Sequence, residues 1–232
     1  MAEVLKEIKN GVVVSCQALE DEPLHGPILM AAMARAAAQG GALGIRTNGV
    51  QEVEVIKKIT GLPVIGLRKA ADPKGRICIT PYLNQARALV RAGADLIAVD
   101  GRRQRPFGED LDQLIPRIRK ELGVPVIADC GSFADGEAAL EIGVDALATT
   151  FGFKEGIWGS EPGFDLLEAL VPLGFPVLAE GGFWQPEQIL QALRLGAWSV
   201  VVGTAVTRPR EITRRLVRAC RGRRPESKGG GG

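Results

Sequence analysis

Apolar, largely β-branched runs alternate along this chain with longer stretches whose apolar positions recur at helical spacing. The runs are Gly11–Ala18, Ala42–Thr47, Pro63–Lys69, Leu96–Gly101, Pro125–Cys130, Ala146–Phe151, Pro176–Gly182 and Ser199–Ala205. Segments such as GVVVSC, PVIGL, PVIAD, PVLAE and SVVVGT show little polar alternation, as strands covered on both faces of a parallel sheet do. The intervening patterns predict helices over Ile28–Gln39, Val50–Thr60, Leu83–Ala92, Asp110–Leu122, Ala134–Ile142, Phe164–Leu173, Pro186–Leu195 and Pro209–Arg221. Several end on a glycine, as in RAGADLI, ELGVPVI, EIGVDAL and RLGAWSV, and the next strand follows at once. Pro186 and Pro209 fall where a first helical turn tolerates proline. Eight strand–helix units in succession, each strand ending in a polar residue, predict an α/β fold: a single (β/α)8 TIM barrel with its chemistry at the carboxyl ends of the strands. A doubly wound open sheet would call for a glycine-rich loop after the first strand, and SCQALEDEP offers none.

Length fits this picture. The 232 residues, 46% hydrophobic, suffice for one barrel, read here as residues 1–221, with the polar, glycine-rich 222–232 as a disordered tail. A net charge of +2 calls for neither nucleic acid nor a membrane surface as partner. The basic run Arg214–Arg224 has no interleaved aromatic residues and reads as a solvated helix face. Charges interrupt MAEVLKEIKNG, so it does not read as a signal peptide. The scattered Cys16, Cys78, Cys130 and Cys220 read as reduced thiols of a cytoplasmic protein. With these spacings and a lone His25, no metal site is expected. The apolar first helix and the last helix could serve a homodimer interface.

The strand ends aim one polar set at a common bowl: Gln17, Arg46, Lys69, Asp129 and Glu180, with Gly181, Gly182, Gly203 and Thr204 beside it. A lysine and a glutamate facing a small polar substrate suit proton abstraction next to a carbonyl. Glycines after the last two strands suit a phosphate held by backbone N–H groups. Arg68 adjoins Lys69, and strand alternation lets only one of them face the bowl; counting from Gly66 favours Lys69. A carboxylate closing an apolar strand is costly unless paired, which marks Glu180 as a site residue. Asp129 reads equally as a site residue or as an acceptor for backbone N–H groups, and Asp100 as a wall residue paired with Arg102 or Arg103. Trp158, Trp184 and Trp198 read as packing residues, with Trp184 near the bowl.

Taken together, SCQALEDEPLHGP, GALGIRTNGV, PVIGLRK, ITPYL, IAVDGRRQRP, IADCGSFADG, LAEGGFWQPEQ and VVVGTAVTRP resemble the N-acylglucosamine-6-phosphate 2-epimerase family, in order from about Val12 to Thr213. The resemblance implies a cofactor-independent epimerase acting on a phosphorylated N-acyl amino sugar, in sialic acid catabolism. It implies Lys69 and Glu180 as catalytic residues, Gln17, Arg46, Asp129 and Arg208 as substrate contacts, and Gly181, Gly182, Gly203 and Thr204 as the phosphate site. The family commonly has a basic residue where this chain has Gly182, and an apolar one at Arg68. Two alternatives stand beside it. A pentulose-phosphate type of epimerase would need histidine metal ligands that this chain lacks, and a sugar-phosphate-binding barrel would lack turnover.

Overall fold

The computed structural model describes residues 2–156 and 159–221. The strands are β1 Val12–Cys16, β2 Gly44–Asn48, β3 Val64–Leu67, β4 Leu96–Asp100, β5 Val126–Asp129, β6 Ala146–Ala148, β7 Val177–Glu180 and β8 Ser199–Val202. All eight run parallel and close into a barrel in sequence order, with β1 hydrogen-bonded to β8. The helices α1 Pro27–Gln39, α2 Val50–Thr60, α3 Leu83–Arg91, α4 Leu111–Arg117, α5 Phe133–Ile142, α6 Phe164–Leu170, α7 Pro186–Arg194 and α8 Pro209–Arg221 follow the strands in turn. The (β/α)8 expectation is therefore met element by element. Trp158 and the expected tail 222–232 lie outside the described residues.

Alternation along each strand divides the core in two. Val13, Ile65, Leu67, Leu96, Ala98, Ile127, Ala146, Ala148, Leu178 and Val201 fill the barrel interior. Val14, Ile45, Val64, Ile97, Val99, Val126, Leu147 and Val200 face outward under the helices. Each fully buried aliphatic side chain contributes about 1.5–3 kcal/mol of transfer free energy. The amino-terminal ends of the strands are closed by a feature the periodicity does not announce. A short helix, Glu3–Glu7, lays Leu5 and Ile8 against the interior cluster, and the Trp198 indole donates to the Leu5 carbonyl at 2.6 Å.

Other departures from the expected elements have local causes. The helix expected over Asp110–Leu122 keeps α-helical geometry only to Arg117 and widens into a π turn over Ile118–Leu122. Pro116 lacks the N–H that would hold the preceding turn. Gly143 closes α5 in the left-handed region (φ 99°), as the EIGVDAL pattern predicts. The run Pro63–Lys69 does not continue as one strand. The barrel strand stops at Leu67, and Lys69–Ala71 pairs antiparallel with Ile77–Ile79 as a hairpin above the barrel. A second hairpin, Lys154–Gly156 with Gly159–Glu161, rises from the loop after β6. Among the described residues no helix is long and apolar enough to cross a membrane. All four cysteines are free, and burial pushes the Cys16 and Cys78 thiols up to about 12.

Candidate active site

Inward positions toward the carboxyl ends of β2, β5 and β7 carry charge. Arg46 shares the inward face of β2, Asp129 follows Ile127 inward on β5, and Glu180 follows Leu178 on β7. Arg46 donates from Nη1 to Asp129 Oδ1 at 3.1 Å and from Nη2 to Oδ2 at 2.8 Å, with both side chains essentially sealed from solvent (1% and 0% exposed). The same Nη1 lies 3.1 Å from Glu180 Oε2, whose side chain keeps 12% exposure toward the bowl. Thr150 Oγ1 donates to Asp129 Oδ1 at 2.5 Å. One buried guanidinium thus sits between two carboxylates. Desolvation opposes its charge, but Asp129 and Glu180 outweigh that and raise its pKa further.

Glu180 stands in the opposite position. Burial raises its carboxyl to about 7, against the pull of Arg46, because Asp129 already claims most of that guanidinium. Thr149 fixes the strand end: its hydroxyl accepts from the Glu180 N–H and donates to the Glu180 carbonyl, both at 2.9 Å.

Lys69 enters from the hairpin. Ile65 and Leu67 point inward, and Lys69, the first residue of the hairpin that follows the break at Arg68, lines the bowl, whereas Arg68 does not. Its backbone N–H donates to Asn48 Oδ1 at 2.8 Å. Below it, buried Thr80 pins the hairpin, donating its N–H to the Arg68 carbonyl at 2.7 Å and accepting the Arg68 N–H at its hydroxyl at 3.0 Å. Lys69 lines the bowl. Its ammonium is crowded by protein, and this desolvation, helped by Arg46, lowers its pKa; Glu180 and Asp129 work the other way.

The bowl is a cavity of about 450 Å³ lined by Ser15, Gln17, Asn48, Lys69, Thr150, Glu180, Gly181, Gly182, Gly203, Thr204 and Arg208, with Leu19, Phe153 and Trp184 among its apolar walls. Gly203 precedes a short helix, Thr204–Thr207. Gly182 has φ 79°, and a Cβ there would lie 2.6 Å from Pro162 N, so the second hairpin leaves no space for a side chain. Arg208 is held by Glu22, which accepts from its Nε at 2.8 Å and from Nη2; Arg210 Nη2 donates to the same carboxylate at 2.9 Å.

A family described as "Putative N-acetylmannosamine-6-phosphate epimerase" matches residues 30–222 of this sequence. The chain belongs to this epimerase family. A relative from Clostridioides difficile, bearing the name "Putative N-acetylmannosamine-6-phosphate 2-epimerase", is 44% identical over 222 residues, covering 93% of this chain and 98% of its own. One of the same name from Caldanaerobacter subterraneus subsp. tengcongensis is 41% identical over 227 residues, covering 96% of each. The solved N-acetylmannosamine-6-phosphate 2-epimerase of Clostridium perfringens superposes with a TM-score of 0.85 at 38% identity, over 93% of this chain and 95% of that one. The thiamine phosphate pyrophosphorylase of Pyrococcus furiosus, with a TM-score of 0.60 at 17% identity over 94% of this chain and 98% of its own, shares the fold alone.

In this member of the epimerase family, Gln17, Lys69, Glu180, Gly181, Gly182, Gly203, Thr204 and Arg208 all line one cavity. Arg46 and Asp129 lie beneath its floor, engaged with each other. Asp100 is paired with Arg102 at 2.7 Å, off to one side. Sequence reasoning passed over Asn48 and Glu22. Asn48 closes the inward-facing strand end after Arg46, and that position was its only signal. Glu22 had none, since its partners lie 186 and 188 residues away. Among the described residues no group of three or more His, Cys, Asp or Glu side chains could hold a metal ion.

Proposed function

We propose that this chain interconverts N-acetylmannosamine 6-phosphate and N-acetylglucosamine 6-phosphate by moving a proton at C2, with Lys69 and Glu180 as the acid–base pair. The observation that carries this reading is the pair itself: two groups on the rim of one buried charge cluster, with pKa values driven toward each other. Burial raises Glu180 to about 7, and desolvation, helped by Arg46, lowers Lys69, so the charged form of each is disfavoured while both line the same bowl. An acid and a base moved in these directions suit proton transfer both to and from C2.

The C2 hydrogen of a closed pyranose is not acidic. Once the ring opens, C2 lies next to the C1 aldehyde. Lys69, in its neutral form, takes the C2 proton; the electron pair moves into an enolate whose charge rests on O1. Delivery of a proton to the opposite face of C2, by Glu180 in its acid form, inverts the centre and restores the aldehyde. Fixed donors stabilise the developing charge better than water, because they need not reorient. Gln17, held by a 2.9 Å hydrogen bond from its Nε2 to Ser15 Oγ, is positioned on that wall. The phosphate takes the backbone N–H groups at Gly181–Gly182 and Gly203–Thr204, with Arg208 alongside. Arg46 and Asp129 act by setting the charge on Glu180 and Lys69. The four free thiols suit a cytoplasmic setting. Ile28 (79% exposed) with Leu29 on α1, and Leu216 (63%) with Val217 on α8, are the apolar faces on which two copies would pair; light scattering on a sizing column tests this.

Proton NMR of the purified chain with N-acetylmannosamine 6-phosphate in heavy water tests the reaction. The C2 signal should vanish as N-acetylglucosamine 6-phosphate grows in, and Lys69→Ala should slow both by about a hundredfold or more. Undiminished exchange in the variant would move the base elsewhere.

A further inference from the structure

The cavity that holds the proposed chemistry is one of two lobes, and they meet at Lys69. The lobe with Gly181, Gly203 and Arg208 measures about 450 Å³. The other, about 1130 Å³, lies between α1, the start of α2, α3 and the Lys69 hairpin. Gln17, Asn48, Lys69 and Thr150 belong to the walls of both. A hexose phosphate reaching from the phosphate-binding glycines to Lys69 is accommodated by the smaller lobe, so the proton transfer makes no demand on the larger one.

Substrate geometry assigns the larger lobe a part. C2 lies at the far end of the hexose from the phosphate on C6. With the phosphate in the smaller lobe and C2 at Lys69, the nitrogen on C2 faces the junction, and whatever it carries continues into the larger lobe. An acetyl group fills about two water volumes, about 60 Å³, a small part of that space. The walls there are mixed: Met30, Ile79, Ala88 and Phe151 offer apolar surface to aliphatic carbon, while Glu52 and Arg68 add charge. Gln85 joins them with a buried Oε1 that has no hydrogen-bond partner among the described residues. We propose that the larger lobe is an acyl-chain subsite, and that this chain epimerises 6-phosphosugars whose N-acyl groups are several carbons longer than acetyl. The proposal rests on the reading of Lys69 and the phosphate lobe given above.

The test compares N-acetyl-, N-butanoyl- and N-hexanoylmannosamine 6-phosphate by C2 exchange in heavy water, using the full chain. Burial of added methylenes should hold kcat/KM for the longer substrates within about tenfold of the acetyl compound, or raise it. A drop of more than tenfold overturns the subsite. Ala71→Trp places bulk in the larger lobe alone, from an exposed hairpin position outside the catalytic set. It should leave the acetyl substrate unchanged and lower hexanoyl turnover at least about fivefold, by overpacking. An unchanged ratio between the two substrates also overturns the subsite. Failure of the acetyl substrate itself in the wild-type chain would instead overturn the reading of the bowl, and the subsite with it.

Discussion

At Glu180, burial and charge pull in opposite directions. Desolvation holds its carboxyl at about 7 in the folded chain, against an ordinary 4.5. The folded state therefore binds this proton more tightly than the unfolded state. Its contribution to stability is complete below about pH 4.5 and is lost as pH rises through about 7. Glu180→Gln imitates the protonated acid. The variant is expected to melt above wild type at pH 8 and to converge with it at pH 5, while losing about a hundredfold or more in turnover. Scanning calorimetry at the two pH values checks the sign, and a melting difference independent of pH would contradict it. Lys69 presents the mirror case, in which desolvation and Arg46 disfavour the charged form. The residue types of this pair were legible from their places at strand ends. Their protonation was not, because it depends on burial and on Arg46, which approaches from a strand far away in sequence.

Between strands, the short β6 leaves a gap that a side chain closes. The backbone ladder of β6 with β7 pairs Val177 with Leu147 and Leu178 with Ala148, and Thr149 then bonds both backbone groups of Glu180 through its hydroxyl. Thr149→Val keeps the shape and removes both bonds. It should cost about 1–3 kcal/mol for two backbone groups left without their partner. It should also lower kcat more than it raises KM, since it loosens an acid–base group; a stability loss with unaltered kcat would make Thr149 structural only. Urea melts and steady-state kinetics give both numbers. The Lys69 hairpin illustrates how far pattern reading reaches. ADPKG is a turn signal flanked by KAA and ICI, and Asp72 Oδ1 accepts from the Lys74 and Arg76 N–H groups, both at 2.9 Å, to build that turn. The run from Pro63 to Lys69 nonetheless reads as one strand, because nothing local marks the barrel edge at Leu67. The helical patterns fared better. Val50–Thr60 has the bounds that its periodicity predicts, and the last helix starts at Pro209 as predicted.

Across the whole molecule, the two ends of the barrel divide stability from chemistry. The bowl occupies the carboxyl end, and the Glu3–Glu7 helix plugs the other with Leu5 and Ile8. Leu5→Ala should therefore cost about 2–5 kcal/mol through the cavity it leaves, with KM unchanged. A shift in KM at constant fold would show that the ends communicate. The sequence by itself determined the order of strand and helix, the inward parity of Arg46, Asp129 and Glu180, and the end of the barrel where they gather. These follow from periodicity and from the direction of parallel strands, both properties of local chain geometry. Barrel closure alone decided which charges meet. Arg46 and Asp129 lie 83 residues apart, and Glu22 and Arg208 lie 186 apart. Each of these pairings needs a complete ring of strands to bring the partners into contact. The same closure provides the desolvation that raises Glu180 and lowers Lys69 from their ordinary pKa values.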